Sequence, residues 1–283
     1  ELEHVFVYFG LPLMGTFMGL FAAFLVGAAS DSFLVGFASF LVMVALIWIR
    51  TAVGVVRRKK RLKTLADTAI RAIEMGDLRS AARAQLVAEE ACHLAPNAHA
   101  GDRVRWSGAY LRASMGYWRS AYLNLGGAGG WGFITFGDAR GGADRRSYAR
   151  VFVEAAIMND RFDDAARALE GFGDDLPGRD ERTRLRLLLA ARRWVVEGEV
   201  DADTRSFLAE PASVATPATR FLATYLESER VGSSFRRDPG ESPQMVAYLI
   251  SSDCQRFCVD WPSLEAHRLR LLEAAGPEGA GAA

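Results

Sequence analysis

The chain has 283 residues, 50% of them hydrophobic, with 34 basic and 34 acidic side chains and a formal net charge of +0. Seven of the basic and three of the acidic residues lie at or before Lys63, leaving 27 basic and 31 acidic beyond it, so the neutrality averages two unlike parts. A mildly acidic remainder lacks the concentrated basic face that nucleic acid requires, and three cysteines, Cys92, Cys254 and Cys258, exclude a disulfide framework and favour free thiols in a reducing compartment.

Val5 to Ala29 carries no charge over 25 residues, enough to cross about 30 Å of hydrocarbon with some tilt. It is longer than a signal-peptide core and is preceded by Glu1, Glu3 and His4 instead of a basic region, so it reads as a retained span. Only Ser30-Asp31-Ser32 separates it from a second apolar run, Phe33 to Ile49. So short a connection forces the two helices antiparallel and into contact. Arg50 can snorkel to the interface, and Thr51 to Val56 complete the second crossing. The expectation is a two-helix transmembrane hairpin over residues 1–56. Gly15, Gly19, Ala23 and Gly27 recur every fourth residue and line one helix face with small side chains. Such a face serves packing against the second span or docking of another membrane subunit.

A basic collar follows over residues 57–63. Arg57, Arg58, Lys59, Lys60, Arg61 and Lys63 include every lysine of the chain and suit the phosphates of anionic lipid headgroups. Because the Ser30–Ser32 loop has no basic residue, the positive-inside rule places both termini and everything beyond the collar on the cytoplasmic side of an inner membrane.

From Leu62 the apolar positions step by three and four, with Leu62, Leu65, Ala66, Ala69, Ile70 and Ile73 on one helix face. Met75-Gly76-Asp77 ends that helix. The same construction returns as Met115-Gly116-Tyr117, Asn159-Asp160-Arg161 and Glu197-Gly198-Glu199, at spacings of 40, 44 and 38 residues. Two positions after each turn centre stands a large apolar residue: Leu78, Trp118, Phe162 and Val200. Three further on, Ala81, Ala121 and Ala165 keep a small residue, a column that Asp203 breaks; seven before stand Ala69, Ala109, Val153 and Ala191. A large residue, a small residue and a tight turn at constant offsets are what a stacked helix-turn-helix unit needs. No strand-type alternation is sustained, so the fold class expected is all-α, with a helical repeat domain over 64–275 and a small-residue tail over 276–283. Ser242-Pro243 and Trp261-Pro262 read as later helix starts, and Gly276-Pro277 as a stop.

The segment Met75-Gly76-Asp77-Leu78-Arg79-Ser80-Ala81, with Ala91 to Pro96 closing its helix pair, resembles the tetratricopeptide repeat (TPR). The likeness covers roughly Lys63 to Leu208, in units longer than that family's and without several of its aromatic positions. Two spans, the collar Arg57 to Lys63 running directly into a helix, and Met75-Gly76-Asp77-Leu78 at its end are similar to the architecture of HemY N-terminal-type bacterial membrane proteins. That resemblance implies an inner-membrane accessory role near tetrapyrrole metabolism and identifies no catalytic residue.

Gly127-Ala128-Gly129-Gly130-Trp131-Gly132 satisfies G-x-G-x-x-G but follows a helical segment without any βαβ pattern, so it is not read as a dinucleotide site. The loop from Gly126 to Gly142 instead carries Trp131, Phe133, Ile134 and Phe136 among glycines. Such groups either fold back onto the helices or meet a partner. Cys254 and Cys258 share a helix face with His267 downstream, but no second pair completes a zinc set, and Cys92, His93 and His99 form no recognised ligand spacing. No catalytic motif is present, and no cofactor is expected. The function expected is a non-catalytic, membrane-anchored TPR-like scaffold or accessory subunit, whose partners are integral membrane subunits, a protein ligand of the helical array, and anionic lipids. The alternative is an enzyme or metabolic helper of the HemY type.

Overall fold

Twenty residues from Leu11 to Ser30 form α1, and one unbroken helix of 42 residues, α2, runs from Phe33 to Glu74. The computed structural model describes residues 11–30, 33–93, 98–125, 142–171, 178–198, 216–231 and 243–275, and their regular structure is entirely helical. Helix α2 contains no proline, so nothing interrupts its hydrogen-bond ladder. It rises about 63 Å from end to end. The hydroxyls of Thr51, Thr64 and Thr68 bond back to the carbonyls of Ile47, Lys60 and Thr64 at 2.9, 2.9 and 2.8 Å.

The two ends of α2 have different neighbours. Its first half pairs antiparallel with α1, Gly15 lying against Ile47 and Gly19 against Met43 and Val44. Its last turns pack on α3 (Leu78–His93) and α4 (Ala98–Ser114), burying Leu62 and Ala66 with Ala88 and Val104. By length and composition, α2 is the one helix among the described residues able to cross a membrane, and its apolar stretch is not covered by the rest of the protein.

The helix-ending turns share one mechanism. Gly76, Gly116, Asp160 and Gly198 all adopt positive φ, at 76°, 80°, 58° and 73°. In the first three turns the chain closes with paired bonds, such as Gly76 N–H to the Ile73 carbonyl and Asp77 N–H to the Ala72 carbonyl, both at 2.9 Å. Tyr117 to Arg112 at 2.8 Å and Arg161 to Ala156 at 2.9 Å repeat the pattern. This left-handed cap satisfies the last carbonyls of one helix and reverses the chain into the next. Asp77 then caps α3, its carboxylate accepting from Ser80 N–H at 3.0 Å.

The order continues as α4, α5 (Trp118–Asn124), α6 (Gly142–Met158), α7 (Phe162–Gly171), α8 (Gly178–Glu197) and α9 (Pro217–Val231), each packed on its predecessor. Ala69, Ala81, Ala109, Ala121, Val153, Ala165 and Ala191 are all buried. The small residues lie where helices meet, and the large ones fill the space between, as close packing demands. Trp106 stacks on Tyr110 at 5.2 Å and meets Tyr148 edge-on at 5.6 Å, tying α4 to α6. The Tyr122 hydroxyl donates to Asp164 at 2.7 Å, joining α5 to α7; burial and that carboxylate push its pKa up to about 12.

The C-terminal helices α10 (Pro243–Ile250), α11 (Ser252–Cys258) and α12 (Pro262–Ala274) do not simply extend the row. Helix α11 turns back onto α4, α5, α6 and α8, and the chain's own residues fill that side of the array.

Candidate functional site

Along the α1/α2 pair the outward residues are almost all large and apolar. Phe17, Phe21 and Phe24 on α1 and Leu34, Val42, Leu46 and Ile49 on α2 are each at least half exposed. Unpaired apolar surface of this extent is unfavourable in water and marks contact with lipid or another apolar surface. Gly15 and Gly19 sit on the opposite side, at the α1–α2 contact. A Cβ on Gly15 would lie 2.9 Å from Ile47 Cγ2, and one on Gly19 3.8 Å from Met43 Cβ. Ala23 and Gly27 continue along α1, with side-chain surroundings outside the described residues.

Arg57, Arg58, Lys59, Lys60, Arg61 and Lys63 lie on α2 between this apolar surface and the turns that hold α3 and α4. All six are exposed. Five consecutive residues on a helix spread over more than one full turn, so Arg57 to Arg61 form a ring of cations around the helix axis.

A second constellation lies inside the helical domain. Glu154 on α6 is fully buried, in the run Val151-Phe152-Val153-Glu154-Ala155-Ala156-Ile157. Its Oε1 accepts from Arg184 of α8 and, at 3.2 Å, from Arg256 of α11. Arg184 also forks onto Glu181 at 2.6 and 3.0 Å. Arg256 in turn lies over the rings of Phe257, at 4.8 Å, and Trp118, at 5.5 Å. Trp118 and Phe257 stack at 4.9 Å, and the Trp118 indole N–H donates to the Arg256 carbonyl at 2.9 Å. Burial alone would raise the Glu154 pKa, but Arg256, Arg184 and Arg150 together outweigh it and hold the carboxyl below its ordinary value. A carboxylate held ionised among arginines is a poor proton acceptor near neutral pH, so the cluster serves as a clasp that seats α11 on α5, α6 and α8. Glu154 shows no periodic signal, but an acid alone in an apolar run is itself a sign in the sequence of a buried, partnered charge.

The remaining residues singled out in the sequence are not drawn together. Trp131, Phe133, Ile134 and Phe136, and the glycines from Gly127 to Gly132, lie outside the described residues. Cys254 and Cys258 are buried on one face of α11, and the Cys258 thiol donates to the Cys254 carbonyl at 3.5 Å. The neighbouring Cys254 side chain and then burial push the Cys258 pKa up and keep it a thiol. His267 is buried on α12 between Phe221 and Tyr225, within hydrogen-bond distance of Thr224 Oγ1 at 3.2 Å and Ser228 Oγ at 3.4 Å. Burial and then Arg270 depress its pKa to about 4. Among the described residues no group of three or more His, Cys, Asp or Glu side chains converges as a metal site would require.

Fold and surface together define an all-helical protein with, among the described residues, one helix long and apolar enough to cross a membrane, bearing a cationic ring where that helix enters the helical domain. No known protein family, curated protein or solved structure matches the chain.

Proposed function

We propose that this protein is a non-catalytic, membrane-anchored scaffold or accessory subunit of a bacterial inner-membrane complex. In this reading α1 and α2 both cross the bilayer as a hairpin, the collar rests among anionic headgroups, and a TPR-like array of helix pairs stands on the cytoplasmic side. The observation that carries it is α2 itself. A single helix supplies an uncovered apolar stretch, then six exposed cations, then the first packing surface of the helical domain. That order couples a membrane to an interaction domain without an intervening flexible linker.

The partner's contacts divide by chemistry. The phenylalanine-bearing outer faces of α1 and α2 suit lipid and the apolar helices of another membrane subunit. A protein ligand of the helical domain meets its outer helices, because α11 occupies the side where α4, α6 and α8 converge. Gentle detergent extraction from native membranes followed by identification of stoichiometric companions tests this reading, with membrane subunits expected among them. Recovery of the monomer alone after crosslinking in intact membranes counts against it. Labelling of cysteines placed at Ser80 and Leu34 with an impermeant reagent tests the topology. Ser80 should react only from the cytoplasmic side.

A further inference from the structure

Arg50 stands apart from the six cations of the collar. It follows the apolar run from Phe33 to Ile49, and Thr51 to Val56 separate it from Arg57. On the continuous helix Arg50 lies about 9 Å along the axis below Val56. That position is inside the crossing, where a cation is costly unless a counter-charge meets it. The adjoining helices supply none: no acidic residue stands between Leu11 and Ser30 on α1 or between Phe33 and Ala66 on α2. Seven residues separate Arg50 from Arg57, which is within about 20° of two full turns and about 10.5 Å of rise. The two side chains therefore share one face of α2, and both residues are exposed. Side chains on a helix tilt toward its N-terminus, so Arg57 leans down α2 toward Arg50. An arginine stem spans more than half the gap, and Arg50 can swing up to meet it. Two like charges converge in this way only around an anion.

We propose that Arg50 and Arg57 form a clamp for the phosphate of one anionic phospholipid. Resting on the reading of α2 as a membrane span, the inference makes this lipid a stoichiometric ligand, distinct from the diffuse attraction of Lys59, Lys60 and Lys63. Each planar guanidinium can give parallel N–H donors to the phosphate oxygens, one from below and one from above. The acyl chains then run down the helix past Leu46 and Met43, four and seven residues before Arg50 and both exposed. A phosphocholine headgroup is disfavoured, because its own cation would stand against Arg57 and Arg61. The clamped phosphate fixes the depth and rotation of α2, and with them the height of the helical domain over the bilayer.

The test places the whole chain in nanodiscs of equal phosphatidylglycerol and phosphatidylcholine, releases it gently and reads the retained lipid by native mass spectrometry. A single phosphatidylglycerol should remain on each protein. Arg50→Gln and Arg57→Gln should each lower its retention relative to phosphatidylcholine by about tenfold, as the loss of a charge-assisted hydrogen bond implies. Exchanging two neighbours, Ile49→Arg with Arg50→Ile, keeps charge and composition but turns the cation about 100° around the helix, and should lose the lipid equally. Retention by the exchanged variant equal to the parent's overturns the clamp, since charge alone would then suffice. Loss in Arg50→Gln but not in Arg57→Gln overturns it as well. Release of the lipid by excess inorganic phosphate overturns the assignment to lipid. A membrane subunit whose attachment depends on Arg50, while lipid retention does not, gives the cation to a protein carboxylate instead. A spin label on Leu41→Cys, in a Cys92→Ala background, that is relaxed by water-soluble nickel instead of by oxygen refutes the span itself and is read separately from the lipid.

Discussion

Replacing Glu154 with Gln keeps the shape of the side chain and removes its charge, leaving Arg184 and Arg256 without their shared buried counter-ion. Breaking one member of a buried ion cluster typically costs about 3–5 kcal/mol. Here the lower end applies, since Arg184 keeps Glu181 at 2.6 Å and Arg256 keeps Asp253 at 3.4 Å. The expected loss is about 3 kcal/mol, a large part of the roughly 5–15 kcal/mol that stabilises a domain. The assay is urea unfolding of the protein in detergent, followed by helical circular dichroism at pH 7. Because the folded carboxyl titrates below its ordinary range, its contribution is complete above about pH 4.3 and is lost as the pH falls through the depressed folded value. Arg256→Met supplies the second arm. The double variant should lose at least about 1 kcal/mol less than the sum of the single losses, since the two residues share one interaction. A loss below about 1 kcal/mol for Glu154→Gln, or additive losses, would refute the clasp.

Three further outcomes follow from geometry and charge. Gly116→Ala should destabilise the domain more than Gly76→Ala or Gly198→Ala: all three have positive φ, with a strain of about 1–2 kcal/mol for a non-glycine, but only at Gly116 would the Cβ meet the Arg256 carbonyl oxygen, at 3.0 Å. Thermal unfolding midpoints rank the three, and equal shifts would contradict the account. His267 titrates near 4 when folded against an ordinary 6.5, so its contribution is present above pH 6.5 and is lost as the pH falls toward 4, by up to about 3 kcal/mol. His267→Gln should therefore flatten the fall in urea midpoint across that window, and an unchanged slope argues against it. Gly15→Ala should weaken α1–α2 pairing, measured as the yield of a disulfide between cysteines placed at Gly19 and Met43, because its Cβ would lie 2.9 Å from Ile47; a yield equal to the parent's would show that Ile47 moves aside freely.

The sequence by itself carried the local features, because their causes are local. Steps of three and four residues from Leu62 to Ile73 marked the last turns of α2, Gly76, Gly116 and Asp160 marked its end and two later reversals, and Gly198 marked the end of α8. Small or apolar residues at constant offsets, such as Ala81, Ala121 and Ala165, foretold buried helix contacts. Proline at Pro243 and Pro262 marked two later helix starts. The apolar run from Phe33 to Ile49 and the cations from Arg57 onward identified the apolar helix and its boundary with equal directness, since length and hydropathy are properties of a continuous segment.

What tertiary structure decided concerns partners far apart in the chain. That Gly15 faces Ile47, and that α2 passes through the collar as one rod, depended on which helix faces touch. The return of α11 onto α4 and α5 depended on Arg256 meeting Glu154 across 102 residues and on its carbonyl accepting from Trp118 across 138. Periodicity along one helix carries no information about which distant charge will satisfy a buried carboxylate. That pairing is selected only when the helices stack and water is excluded from between them.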